Sequence, residues 1–390
     1  MEDIRKMNVL VLGNSGAGKS TLIKAISGAE VKTAVGGSVT QNIDVYESST
    51  WPIQCIDTKG FEYKWFEQQK TIKQVKKFTK KQLSAKTDKK GDEPSIDAVW
   101  YCIDGCSKRV FTENIEMMNK SIKGWKNIPV FAVITKSLSE AEIEENVEAV
   151  KQAFSKNKTI NLQEVIPVVA EPYYIKSEVV EQMGIEELCE ATLDCFDEAK
   201  QISAENRNRM ILEQKRFTAN ALTAGAATAG IVVGAAPISI ADSLILVPLE
   251  TALTKGILKI YGIDFSADLV TAVIGSAAIT NVAKALVGTL KTIPNIAGSV
   301  INAVVAGFFV AAIGEAVIAL SETIYSGKID KDKIDGIIEF MSEKLKNNQV
   351  LSFVVSYIEK NADKLQGKSA KEIFSIVDKA AKENTKFLKK

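Results

Sequence analysis

A short stretch near the start of the chain groups the residue types that phosphate chemistry needs. Gly13, Asn14, Ser15, Gly16, Ala17, Gly18, Lys19, Ser20 and Thr21 follow one another. Gly13, Gly18, Lys19 and Ser20 satisfy the pattern G-x-x-x-x-G-K-[ST]. The glycines let the backbone turn tightly and bring N–H groups against phosphate oxygens with no Cβ in the way. The Lys19 ammonium can reach the outer two phosphates of a nucleotide, and the Ser20 hydroxyl is a hard oxygen suited to Mg2+. Such a loop needs a strand before it and a helix after it. Val9 to Leu12 is an apolar run of the kind a buried parallel strand shows. Residues 19–27 read as a helix whose positive N-terminal end would face the phosphates.

The following segments supply partners for that loop. Residues 31–40 are polar and glycine-bearing, as suits a segment that senses the γ-phosphate. Thr40 is the candidate for a second hydroxyl ligand of the metal, with Thr33 as its competitor. Residues 43–46 and 51–57 read as strands, the second ending in Asp57-Thr58-Lys59-Gly60. A carboxylate there can hold Mg2+ through a water, and Gly60 can offer its N–H to the γ-phosphate. Residues 98–103 read as a buried strand followed by Asp104 to Arg109. Arg109 is one of only five arginines, with Arg5, Arg207, Arg209 and Arg216. Just past the end of a strand, it is either an arginine finger, in cis or in trans, or a cap on the next helix. Pro129 to Ile134 reads as a strand ending in Thr135-Lys136. Ile143, Val147, Val150 and Phe154 mark one face of a helix. Residues 165–170 read as a last strand ending at Ala170, and 184–200 as a closing helix.

In order and spacing, Gly13–Thr21, Thr40, Asp57–Gly60, Thr135-Lys136 and Ala170 resemble GTPases of the Era-like and interferon-inducible (IRG-like) type, over residues 1–200. The resemblance implies an α/β domain with a mostly parallel sheet and helices on both faces. It implies GTP and GDP as ligands with Mg2+, and hydrolysis that often runs in dimers or larger assemblies. It places Thr135 and Lys136 beside the base and the Ala170 N–H at the base oxygen. Two positions depart from the pattern. Phe61 stands where small GTPases carry a glutamine that orients the attacking water, so hydrolysis is slow or the group comes from elsewhere. Leu138 stands where [NT]-K-x-D has an aspartate that accepts both N–H groups of the guanine edge. That contact is either lost or supplied by another residue, such as Glu140 or Glu142.

Composition narrows the rest. The chain holds no histidine, which removes Ser-His and Cys-His triads, histidine bases and His-ligated zinc together. Cys55, Cys102, Cys106, Cys189 and Cys195 are odd in number with no C-x-x-C pair, and read as reduced core thiols of a cytosolic protein. A net charge of +1 makes no polycation, so nucleic acid is not an expected partner. No cleavable leader is expected, because the phosphate-loop strand begins almost at once, and Glu2 excludes N-myristoylation. Lysines crowd residues 62–90, as a solvated helix face or as a contact patch for anionic lipid or an acidic partner.

The expected domains are 1–203, the nucleotide-binding unit, and 204–390, an all-α unit with a hydrophobic hairpin at about 217–320 and amphipathic helices over 330–390. Residues 217–241 and 292–314 carry no charge and are long enough to span a bilayer. Both place small residues at every fourth position: Ala221, Gly225 and Ala229; Gly230 and Gly234; Ala303, Gly307 and Ala311. That spacing lets two helix backbones approach closely. The first run is mostly Ala, Thr and Gly and holds Pro237, which suits a buried hairpin of a helical bundle; membrane insertion or reversible association is the alternative. Ala235–Asp242 and Tyr261-Gly262-Ile263 resemble an uncharacterised helical domain that follows a GTPase domain in many bacterial proteins, which implies a GTPase-coupled, membrane-linked role.

The sequence therefore predicts a GTP-binding protein that hydrolyses GTP to GDP and phosphate with low intrinsic turnover. It predicts a homodimer or oligomer, cytoplasmic, with a membrane surface as an open alternative. The rival readings are a membrane-remodelling or pore-type protein with nucleotide-gated assembly, and a pseudo-GTPase with relaxed base specificity.

Overall fold

The computed structural model describes residues 5–28, 43–58, 96–107, 128–156, 160–175, 178–197, 199–234, 247–276, 298–331 and 333–388, with 279, 281, 282, 284, 285 and 288 between them. Packing divides the chain into Met1–Gln214 and Lys215–Lys390.

The first unit contains β1 (Met7–Gly13), α1 (Lys19–Ser27), β2 (Ile43–Glu47), β3 (Ile53–Thr58), β4 (Ala98–Asp104), β5 (Val130–Thr135), α2 (Glu140–Ser155), β6 (Leu162–Val168), the short β7 (Tyr173–Ile175) and β8 (Glu178–Val180), and α3 (Ile185–Asp194). Six strands form one sheet in the order β2-β3-β1-β4-β5-β6. Only β2 runs antiparallel to its neighbour. This is the mostly parallel sheet that the sequence predicted. The strands are apolar in unbroken runs because both faces are covered. Val9, Val11, Trp100, Cys102, Phe131 and Val133 share one core with Leu22, Ile23 and Ile26 of α1 and Leu188 and Leu193 of α3. Leu10, Leu12, Val99, Tyr101, Ala132 and Ile134 share the other with Val150, Ala153 and Phe154 of α2. Each of the Val, Leu, Ile and Phe side chains among these contributes about 1.5–3 kcal/mol on burial.

α4 (Ala204–Gly234) is a continuous helix whose early turns belong to the first unit. Met210 packs in the α1-side core. The buried Gln214 amide accepts from Trp51 Nε1 at 3.2 Å and donates to the Ala25 carbonyl at 3.3 Å.

The second unit holds the rest of α4, α5 (Val247–Ile260), α6 (Ala267–Ile274), α7 (Gly298–Tyr325), α8 (Ile334–Lys346), α9 (Gln349–Lys360), the single turn α10 (Ala362–Leu365) and α11 (Ala370–Leu388). α7 is apolar on all sides and packs against α5, α8, α9 and α11, as a helix without a polar face must. α4 lies antiparallel along it through small residues. A Cβ on Gly234 would lie 2.6 Å from Ala306 Cβ, one on Gly307 3.1 Å from the Ala227 carbonyl oxygen, and one on Gly314 would strike the Thr223 side chain. The close approach expected from the spacing of small residues is therefore present at Gly230, Gly234, Ala303 and Gly307, whereas Ala221 and Gly225 are exposed. One end of the pair is fixed by Arg216, whose guanidinium donates to both Glu322 carboxylate oxygens at 2.7 and 2.5 Å. Tyr261 Oη donates to the same carboxylate at 3.2 Å.

By length and composition α4 and α7 could each cross a membrane, yet 83% of the apolar window of α7 and 50% of that of α4 are buried in protein. Burial thus accounts for the apolar character of α7. In the tail, Ser369 and Glu372 form a reciprocal cap on α11, with the Ser369 N–H donating to the carboxylate at 2.8 Å and the Glu372 N–H donating to the Ser369 hydroxyl at 3.3 Å.

Candidate nucleotide-binding site

The loop between β1 and α1 sits at the carboxyl edge of the parallel sheet, where open α/β sheets hold their ligands. Its glycines are required by space as well as by torsion. Gly13 has φ 148, and a Cβ there would lie 2.5 Å from the Cys102 carbonyl oxygen on β4. Gly18 has φ 75, and its Cβ would press on Thr135 at 3.2 Å. The loop closes on itself through the Ala17 N–H to the Asn14 carbonyl at 3.1 Å, and the first bond of α1 runs from the Leu22 N–H to the Gly18 carbonyl at 2.9 Å. No side chain caps the start of α1. Its leading N–H groups are thus left uncapped by side chains at the positive end of the helix, as an anion site requires.

Lys19 is 7% exposed. Its ammonium donates to the Gly13 carbonyl at 2.9 Å and the Asn14 carbonyl at 2.8 Å, which leaves one of its three protons for a ligand. Burial pushes its pKa down, and the nearby Cys102 and Asp57 oppose that shift. A half-desolvated ammonium interacts with phosphate more strongly than one in bulk water. Asp57 is buried on β3, in register with Val11 of β1. Ser20 is exposed on the first turn of α1.

Thr135 and Lys136, at the end of β5, join the loop from the other flank. Thr135 Oγ1 lies 2.8 Å from the Ala17 carbonyl oxygen and 3.0 Å from that of Ile103. Lys136 has φ 54, the only positive value on a non-glycine residue among those described. Its ammonium donates to the Gly16 carbonyl at 2.9 Å and to Asp104 Oδ2 at 2.7 Å. Asp104 Oδ1 accepts from the Cys106 N–H at 3.0 Å, and the Gly105 N–H donates to the Thr135 carbonyl at 2.8 Å. The β4 and β5 exits are thus tied to each other and to the phosphate loop. Ala170 is buried past β6, and its carbonyl accepts from Gln182 Nε2 at 2.6 Å.

The structure thus brings Gly13 to Thr21, Asp57, Thr135, Lys136 and Ala170 to one edge of the sheet. Thr40, Gly60 and Arg109, together with Phe61 and the lysines of 62–90, lie outside the described residues. Sequence reading had assigned no role to Asp104 or Gln182, and the β7–β8 hairpin between Ala170 and Gln182 was not foreseen. The one signal for Asp104 was an acidic residue closing a fully apolar strand. All five cysteines are free, but only Cys55, Cys102 and Cys189 are buried. Cys106 is exposed at the rim and Cys195 is half-buried, so the expectation of core thiols holds for three of them.

Residues 8–136 match the family model described as "50S ribosome-binding GTPase". The first unit carries a P-loop GTPase domain. No curated protein matches the chain. Among solved structures, similarity is found to translation elongation factor SelB from Methanococcus maripaludis in complex with the GTP analogue GppNHp. The identity is 20% with a TM-score of 0.30, over 44% of this chain and 31% of that one, so this chain covers under a third of the elongation factor's length. A probable GTP-binding protein, EngB, is 18% identical with a TM-score of 0.33, over 48% of this chain and 97% of that one. A variant of NFeoB from S. thermophilus bound to GDP is 13% identical with a TM-score of 0.31, over 87% and 98%.

Proposed function

We propose that the chain binds a guanine nucleotide with Mg2+ and hydrolyses GTP to GDP and phosphate, and that the nucleotide state is relayed to the helical unit. One observation carries this reading. Lys19, Thr135 and Lys136 converge on the carbonyls of one glycine-bearing turn, and the start of α1 behind that turn carries no side-chain cap.

In this reading the loop N–H groups and Lys19 neutralise the phosphates. The residues fit a magnesium ion. Ser20, exposed on the first turn of α1, and Asp57, buried on β3 in register with Val11, are hard oxygen donors on the two sides of β1's carboxyl end. Ser20 and Thr40 would hold the ion directly and Asp57 through a water, and the ion would offset charge on the β- and γ-phosphates. Gly60 would donate its N–H to the γ-phosphate. Arg109 would stabilise the charge that grows as water adds to the γ-phosphorus and the bond to the β-phosphate oxygen breaks. Phe61 cannot orient that water, so intrinsic turnover is low and rises when copies associate. The test is Lys19→Ala in the full chain, read by nucleotide titration with ATP as competitor. Loss of binding by at least about a hundredfold is expected from removing a charged donor and its hydrogen bonds. Unchanged affinity would remove the site.

A second reading adds association with a membrane surface. It is favoured by α4, whose uncharged stretch leaves Ala221, Ala224, Gly225 and Thr228 exposed and Val232 73% exposed. Flotation with anionic vesicles, with and without nucleotide, tests it. Protein that stays at the bottom of the gradient in both conditions refutes it.

A further inference from the structure

We propose that a closed ring of hydrogen bonds around Gln214 is the joint through which the phosphate site and the helical unit regulate each other. The proposal deepens the nucleotide-binding reading above and rests on it.

Gln214 is 1% exposed on the early turns of α4. It stands one helical turn after Met210, which packs into an apolar core that also holds Trp51, Ala25 and Ile26. An apolar side chain would serve packing alone there. The amide instead fastens two elements. Its Nε2 donates to the Ala25 carbonyl of α1 at 3.3 Å, and its Oε1 accepts from Trp51 Nε1 at 3.2 Å. The Trp51 N–H donates to Ser48 Oγ at 3.1 Å, and the Ser48 hydroxyl donates to the Ile26 carbonyl at 2.8 Å, one residue on from Ala25. Four hydrogen bonds thus leave α1 and return to it. Gln214, Trp51 and Ser48 are all buried, so water competes little for these bonds.

The ring closes the far ends of two elements whose near ends belong to the site. α1 begins at Lys19 and Ser20, and Ala25 and Ile26 lie in its last turn, where carbonyls need partners from outside the helix. Ser48 and Trp51 lie between β2 and β3, and β3 runs from Ile53 through Asp57 to Thr58. In the reading above, phosphate loads the start of α1 and magnesium loads Asp57. Packed elements of this kind pass displacement along rather than absorb it, so a change of angle between α1 and β3 reaches the ring.

α4 continues past the ring without a break. The next two residues bond within the helical unit. Lys215 Nζ donates to the Ile260 carbonyl at the end of α5 at 2.7 Å, and the Arg216 guanidinium donates to Glu322 of α7. Three consecutive residues of one helix therefore answer to the ring, to α5 and to α7. A shift of Gln214 is felt at its neighbours, and linkage makes the effect run both ways.

The experiment is hydrogen exchange of the full chain, read at α5 and α7 with and without the magnesium complex of the non-hydrolysable analogue GppNHp. In the unaltered chain the nucleotide is expected to change exchange there by about fivefold or more. Gln214→Leu removes both amide bonds, and Trp51→Phe removes the indole donor while keeping an aromatic ring in the core. Each variant is expected to bind the nucleotide and to keep a response of less than about twofold. A substitution that merely loosened packing would raise exchange with and without nucleotide and leave the response intact. A response of full size in either variant overturns the proposal, and Trp51→Phe carries the test if Gln214→Leu does not fold. Nucleotide bound with no response in the unaltered chain also overturns it. No binding of nucleotide would instead remove the proposed function itself.

Discussion

Among the described residues, buried hydroxyls without a partner occur in the helical unit and not in the GTPase unit. In the GTPase unit the buried Lys19, Thr135, Ser137 and Trp100 side chains are tied into bonds that shape the site or its frame. Lys19 and Thr135 bond to loop carbonyls, Ser137 Oγ donates to the Ile134 carbonyl at 2.8 Å, and Trp100 Nε1 donates to Thr192 Oγ1 at 2.9 Å. In the helical unit the Oγ atoms of Thr251, Thr254, Ser276, Ser321 and Ser342 and Oδ1 of Asn302 are buried with no partner among the described residues. Each such group costs about 1–3 kcal/mol. The first unit spends polarity on geometry. The second is held by apolar packing in spite of its polar residues.

Glu250 on α5 gives the largest expected effect. It is 4% exposed, and burial raises its pKa from 4.5 to about 7. The unfolded chain releases this proton above pH 4.5, while the folded unit keeps it until about 7. Stability of the helical unit therefore falls as pH rises through that window and stays lower above it, by on the order of 3 kcal/mol. Glu250→Gln should erase that slope and recover most of the loss at pH 8, read by hydrogen exchange of α7 across pH. An equally steep slope in the variant would show that other groups cause it.

Gly314→Ala comes next. The added methyl would collide with Thr223, and a loss of about 2 kcal/mol is expected from overpacking, measured as a lower urea midpoint for the helical unit. A neutral result would mean that α4 can move away from α7 at little cost.

One pair of like substitutions compares the units directly. Thr135→Val removes the one hydroxyl proton available to the Ala17 and Ile103 carbonyls and should cost the GTPase unit about 2 kcal/mol, with weaker nucleotide binding. Thr254→Val removes a buried hydroxyl that has no partner among the described residues and should stabilise the helical unit by about 1 kcal/mol. Thermal unfolding of both variants gives the signs; two losses would erase the contrast.

The same contrast explains what could be read from the sequence. The GTPase unit was legible because its devices are local. β1, the glycine loop and α1 follow one another within residues 7–27, and the helix expected at 19–27 is Lys19–Ser27. Asp104 escaped notice because its partner Lys136 lies on another strand exit, and only the parallel pairing of β4 with β5 brings them together. The hairpin of β7 and β8 was missed because three-residue strands show no usable alternation. In the helical unit, the spacing of small residues announced a close helix pair. Length and hydropathy alone could not separate a core helix from a membrane span, since both lack a polar face; the answer for α7 lies in the helices that surround it. The turn Ala362–Leu365 was too short to register as a helix of its own.

The contact between Gly314 and Thr223 has a consequence for descent. Position 314 cannot drift alone: a bulkier residue there becomes acceptable only where 223 has already shrunk to alanine or glycine. Sequences that inherit this helix pair should therefore exchange volume between the two sites, keeping their sum nearly constant while each varies.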